Sequence, residues 1–221
     1  MNGMDITALP LVGGHPALDL VNTVERGTPT PGTRPRDHLA DPPALLHWAR
    51  RVGLVGDAEA AAVAESWDRD PGSGDATLAA VRDVREALHT VLLAVAGASP
   101  SDPGVVAAAL ERLHGRWAAA VARSRLVLTP DGSSAARLAV GGVPDQLVPD
   151  RAADAALDVL RGADLARLRR CPPEAGGCGW LFVDRSRNGS RRWCRMADCG
   201  STVKARRLTE RRRAARTGRG G

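Results

Sequence analysis

All four cysteines of this 221-residue chain fall in its last quarter, at Cys171, Cys178, Cys194 and Cys199. Their spacing is C-x6-C-x15-C-x4-C. Two local pairs joined by roughly 12–20 residues are what a tetrahedral metal site requires, because each pair makes a loop and the intervening chain folds back to unite them. The N-terminus has no basic segment ahead of an apolar run, and no apolar run approaches the roughly 18 residues of a membrane span. A cytoplasmic protein is therefore expected, with no membrane partner. In a reducing compartment clustered thiols more often bind metal than pair as disulfides, which are the alternative. Four thiolates close the coordination sphere of one Zn²⁺ and leave no position for water, so the expected zinc is structural. No histidine lies near the cysteines, and the nearby Glu174 sits inside the first loop.

The chain between the pairs reads as the fold-back. Residues 179–194, "GWLFVDRSRNGSRRWC", give an apolar strand, then Asn188-Gly189, a favoured two-residue hairpin turn, then a return toward Cys194. Trp180, Phe182 and Asp184 share one face of that strand. After Cys199 the pattern turns helical. A hairpin and a helix around one zinc define a treble-clef-like finger.

Charge separates this region from the rest. Residues 167–221 carry 16 Arg or Lys against four Asp or Glu, a net of +12, whereas residues 1–166 carry 15 against 21, a net of −6. Two regions of opposite sign suggest two domains, 1–166 and 167–221, with different partners. Four thiolates and one Zn²⁺ carry a net of −2, which Arg191, Arg192 and Arg195 offset. The excess at Arg185, Arg187, Lys204, Arg206, Arg207, Arg211 and Arg212 asks for a further anion or for solvent, and Arg191 and Arg192 belong with that set. Phosphate backbone is the partner that rewards such charge, so duplex DNA is expected. A solvated basic tail is the alternative for the last ten residues.

Residues 1–166 read as mainly helical. The 43% hydrophobic content supports a sizeable core, and aromatics at 3% leave it to Leu, Val and Ala. Helices are predicted from Pro16, from Asp41-Pro42, over residues 56–69, over residues 76–97, from Asp102-Pro103, and from Asp150 to about Arg170. The fourth carries the stripe Leu78, Val81, Val84, Leu88, Val91, Leu92 and Val95. A ribbon turning at Pro130-Asp131-Gly132 adds one antiparallel hairpin. The fold class is α+β, mainly α. His15, Asp19, Asn22 and Thr23 are polar groups in an apolar segment, so they bond to backbone, to one another or to a small-molecule effector. Helix capping and loop anchoring remain the plainer alternative. No Ser-His-Asp set and no phosphate-cradling glycine loop stands out, so no enzyme is expected.

The stretch "CGWLFVDRSRNGSRRWCRMADCGSTVKARR" closely resembles the CGNR zinc-finger family. The resemblance rests on Cys178, Trp180, Phe182, Asp184, Ser186, Arg187, Asn188, Ser190, Arg191, Arg192, Trp193, Cys194, Cys199 and Gly200. The opening "GGHPALDLVNT" is similar to the start of the ABATE domain, named for stress-induced transcription regulation, that usually precedes such a finger. Together they imply a bacterial DNA-binding transcriptional regulator with a sensing front domain. A zinc-dependent RNA- or protein-interaction module is the alternative, and a homodimer is expected for a regulator of two-fold sites. The family's box ends Asn-Arg, where this chain has Ser201-Thr202. Ser201 is read as capping the helix that follows.

Overall fold

Five of the six named α-helices among the described residues begin on proline. A helix's first residues have no intrahelical acceptor for their N–H groups, so a missing N–H costs nothing there. The computed structural model describes residues 6–27, 35–98, 102–129, 135–162, 165–206 and 208–209. The helices are α1 (Pro16–Val21), α2 (Pro42–Arg51), α3 (Asp57–Arg69), α4 (Pro71–Val95), α5 (Pro103–Ala122) and α6 (Pro144–Gly162). Side chains of Asp41, Asp70 and Asp102 cap α2, α4 and α5 by accepting from Ala44, Gly72 and Gly104 amides. The expected turn at Pro130-Asp131-Gly132 and the side chains of Arg207, Arg211 and Arg212 lie outside the described residues.

Helices α4, α5 and α6 pack together, and α1 lies against α4 and α6. The α4 stripe is buried at Leu78, Val81, Val84, Leu88, Val91 and Leu92. Each such side chain contributes about 1.5–3 kcal/mol through removal from water. Val95, read as the end of the stripe, is exposed instead. Helix α4 also starts earlier than the pattern suggested. Pro71 sits at its first turn and Asp70 caps it, so "PGSGD" is helical rather than a loop.

Helix α6 differs in the same way. It begins at Pro144, not near Asp150. Pro149 lies within it and has no N–H to give to the Asp145 carbonyl one turn back. Thr77 Oγ1 on α4 donates to that carbonyl at 2.9 Å, so the missing bond is replaced by a cross-helix one. Asp150 is fully buried in mid-helix, where it accepts from Arg116 at 3.3 Å and from Arg123 at 2.6 and 2.9 Å. The helix ends at Gly162, and Leu165–Arg167 form a 3₁₀ turn leading into a strand.

Two antiparallel ribbons complete the fold. Strands β1 (Arg125–Leu128) and β2 (Ala136–Ala139) pair with Leu126 opposite Leu138. Strands β3 (Leu168–Arg170) and β4 (Leu181–Val183) pair with Arg169 opposite Phe182. The second pairing corrects the expected finger hairpin: β4 pairs with the strand before Cys171, and residues 190–194 form no return strand. The Asn188-Gly189 turn exists, closed by the Gly189 amide on the Ser186 carbonyl at 3.2 Å. The buried Asp184 carboxylate takes the Ser186 and Arg191 amides at 2.9 and 2.8 Å, and so occupies the N–H that a return strand would use.

Candidate metal centre

The β3–β4 ladder runs on into the first cysteine pair. The Cys171 amide donates to the Trp180 carbonyl at 2.8 Å, and the Gly179 amide to the Cys171 carbonyl at 3.1 Å. Cys171 and Cys178 therefore face each other across a hairpin loop. The six intervening residues fit because they coil: Pro173–Ala175 make a 3₁₀ turn, and the Gly177 amide returns to the Pro172 carbonyl at 2.8 Å. A Cβ on Gly177 would lie 2.7 Å from Cys171 Sγ, so only glycine lets the loop close over the thiol. Cys194 and Cys199 come from the other side. Cys199 sits in a single π-helical turn, Met196–Gly200, which continues as helix through residues 201–206. Ser201 lies inside that helix and donates its hydroxyl back to the Ala197 and Asp198 carbonyls, so it does not act as the expected cap.

The four sulfurs lie within 4.8 Å of one another. Cys178 and Cys194 are 3.4 Å apart, and Cys194 and Cys199 3.7 Å apart. A tetrahedron of thiolates about 2.3 Å from one zinc has edges of about 3.8 Å. A disulfide needs about 2.05 Å, and all four cysteines are free, so the disulfide alternative fails. Crowding the sulfurs together favours the thiolate at Cys171 and the protonated thiol at Cys178 and Cys194, so without a cation the four cannot all ionise. Four converging sulfurs, two of them buried, find their natural resolution in a dication that holds them all deprotonated. The donor set fits one structural zinc with a closed coordination sphere.

The finger is seated on the residues that leave α1. Asn22, almost fully buried, makes a two-way bond with β4: its Nδ2 donates to the Leu181 carbonyl and its Oδ1 accepts the Leu181 amide, both at 2.8 Å. Trp180 Nε1 donates to the Val24 carbonyl at 3.0 Å, and the Val183 amide to the Gly13 carbonyl at 3.2 Å. Gly179, at φ +79°, brings its backbone against the Arg26 carbonyl, where any Cβ would collide. One hydrophobic core runs through both regions, from Leu18, Leu20 and Val21 to Leu181, Phe182, Cys171 and Cys194.

The other polar residues of the α1 segment are also engaged. Asp19 Oδ1 accepts the Gly13 amide at 2.8 Å, and burial pushes its carboxyl up to about 6. Thr23 Oγ1 donates to the Leu20 carbonyl at 2.7 Å and accepts from Arg85 at 3.1 Å. Arg85, itself buried, makes a bidentate pair with Asp37 at 2.7 and 2.8 Å. His15 caps α1 through Nδ1 and turns Nε2 to Asp158 at 3.0 Å. Of the four candidates for effector binding, His15 borders two open clefts. The Asn22–Leu181 link was missed by sequence reasoning, although a lone Asn in an apolar run was its visible sign.

The arginines divide. Arg191 stacks on Phe182, 4.5 Å from the ring centre, and donates to the Trp193 carbonyl at 2.9 Å. Arg195 pairs with Asp198 at 3.4 Å, and Arg185 donates to the Gly14 carbonyl at 3.1 Å. Arg206 lies against Gly176 of the first cysteine loop. Arg192 is exposed and rests on Trp193 at 5.1 Å. Arg187 and Lys204 are exposed and make no hydrogen bond or ion pair among the described residues.

A helical domain carrying a four-cysteine zinc finger on its first helix is thus the class of protein that the fold and site define. Residues 14–163 match the ABATE family, described as "Putative stress-induced transcription regulator", and residues 167–212 match the CGNR zinc finger. The chain belongs to the ABATE family and ends in a CGNR zinc finger. No curated protein matches it.

Proposed function

We propose that the chain is a cytoplasmic DNA-binding transcriptional regulator whose zinc finger contacts duplex DNA through arginine and lysine. The front domain senses a small-molecule effector, and two copies act together. The observation that carries this reading is the set Arg187, Arg192 and Lys204, exposed cations of the finger with no anionic partner of their own among the described residues. Arg195 is paired with Asp198, whereas these three are exposed and carry no ion pair among the described residues, so they lead the candidates for phosphate. The closed thiolate sphere favours a structural metal and a binding protein over an enzyme.

Fluorescence anisotropy with labelled duplex DNA across a salt series tests the proposal. The logarithm of affinity should fall linearly with the logarithm of salt, and Arg187→Gln, Arg192→Gln and Lys204→Gln should each lower the slope by about 1. An affinity that does not change between low and moderate salt refutes it. A second reading, an RNA- or protein-binding module, is favoured by Ser201-Thr202 standing where the family has Asn-Arg, since a cationic contact is absent there. Tighter binding to RNA than to duplex DNA in the same assay would select it. Sedimentation of the full chain reads the dimer.

A further inference from the structure

We infer that the β1–β2 ribbon is the face on which a second copy of this chain docks, leucine side against leucine side across a two-fold axis. This gives a surface to the pairing of copies proposed above, and it rests on that pairing rather than on DNA binding.

The ribbon's pattern is inverted. Successive strand residues point to opposite sides, and the register sets Leu126 opposite Leu138 and Leu128 opposite Ala136. These four residues share one side of the ribbon, and that side meets solvent: Leu126 is 76% exposed, Leu128 82% and Leu138 37%. The other side carries Arg125, Val127, Arg137 and Ala139, of which Val127 and Ala139 are half-buried. A ribbon that served only its own body would turn leucine inward and arginine outward. Two strands are also too few to sustain an apolar face by themselves; a hairpin gains independent stability from further strands or a packed layer. Among the described residues no layer covers these leucines.

A second copy is the occupant that this face suits. One Leu–Leu pair beside one Leu–Ala pair makes a patch that a half-turn lays on its own image, so two ribbons stack as two thin sheets with leucine between them. The surrounding charge agrees. The depression beside Leu138 is bordered by Arg137 and, from α6, by Asp154 and Asp158. Arg125 and Arg137 are exposed and form no ion pair among the described residues. Asp154 spends one carboxylate oxygen on Trp117 Nε1 at 3.1 Å and keeps the other. A rim that holds both signs complements itself, whereas the basic finger repels its own copy. Area sets the extent of the contact. A specific interface buries about 800 Å² on each partner, more than three leucines supply, so it spreads from an apolar centre on the ribbon to this charged rim.

Analytical ultracentrifugation of the zinc-loaded full chain tests the inference. The wild type should sediment as a dimer that dissociates on dilution. Leu126→Glu and Leu128→Glu each set a carboxylate against its own copy in an apolar contact, and each should raise the dissociation constant at least about tenfold. Both side chains already stand in water, so these variants should keep the helical circular dichroism and the bound zinc of the wild type. Leu110→Glu, at an exposed leucine of α5 rather than of the ribbon, should leave the dimer intact. A wild type that stays monomeric, or a dimer untouched by both ribbon variants, overturns the inference. Self-association that disappears on nuclease treatment also overturns it, since nucleic acid would then be the occupant. Anisotropy with duplex DNA on the same proteins keeps the two readings apart. A ribbon dimer that binds no DNA leaves this inference standing and removes the DNA-binding regulator; a monomer that binds DNA does the reverse.

Discussion

Burial disfavours the charged form of both Asp19 and His89, and the two groups tilt stability in opposite directions. Burial pushes the Asp19 carboxyl from 3.8 up to about 6. Between those values the folded chain holds the proton and the unfolded chain does not, so this group's contribution is largest below pH 4 and is lost as pH rises to 6. Burial, with Arg26 close by, brings the His89 imidazole from 6.5 down to about 4. Its contribution is complete above pH 6.5 and is lost as pH falls toward 4. Each shift corresponds to about 3 kcal/mol. Urea midpoints measured against pH should therefore diverge: Asp19→Asn gains on the wild type as pH rises from 4 to 6, and His89→Gln gains on it as pH falls from 6.5 to 4. Parallel profiles for both variants and the wild type would contradict the assignment. Asp19 was legible in the sequence as a carboxylate among apolar neighbours. His89 was not, because an isolated histidine on a helix says nothing of the cations that the fold brings to it.

At the scale of elements, the Asn22–Leu181 bond is the connection most open to test. Asn22→Ala leaves a buried amide and a buried carbonyl of β4 without partners, at about 1–3 kcal/mol each. The urea midpoint should drop accordingly, and the Leu181 amide should exchange with solvent faster than the amides of α4. Asn22→Asp should be at least as damaging, since it turns an acceptor toward the Leu181 carbonyl. An unchanged midpoint in both variants would show that the bond contributes nothing. Helix starts at Pro16, Pro42 and Pro103 were readable from proline at the first turn, with an Asp before it at Pro42 and Pro103. Pro71 and Pro149 misled for a related reason. Proline also ends helices, and only the position of Thr77 on a neighbouring helix shows why α6 tolerates Pro149 in its interior. The Asn188-Gly189 turn was read correctly as a turn and incorrectly as half a hairpin, since the Asp184 carboxylate captures the strand's next donor.

For the whole molecule, the metal and the helical core form one unit. Chain charge changes sign near residue 166, and that boundary was plain in the sequence. Charge reports the surface, however, and the core ignores the boundary: Phe182 and Leu181 share one apolar interior with Leu18 and Leu20. Zinc binding is then coupled to the folding of the front helices, not of the finger alone. A strong chelator should lower the thermal midpoint of α4, followed by hydrogen exchange, together with that of the finger, in a single transition. Two separate transitions, with the helices unmoved, would refute the coupling. The four ligands were legible because metal geometry dictates spacing. Their seating on α1 was not, because it is written in single backbone contacts that no periodicity reveals.

The two-way grip of Asn22 on Leu181 has a further consequence. Strand β4 owes part of its completed edge to a side chain 159 positions earlier. Grafted onto a foreign protein without that helix, the cysteine-rich segment would carry a bare flank ready to stick to whatever chain came near. Its modularity is one of sequence and not of material: what looks portable on paper travels safely only with the body it leans on.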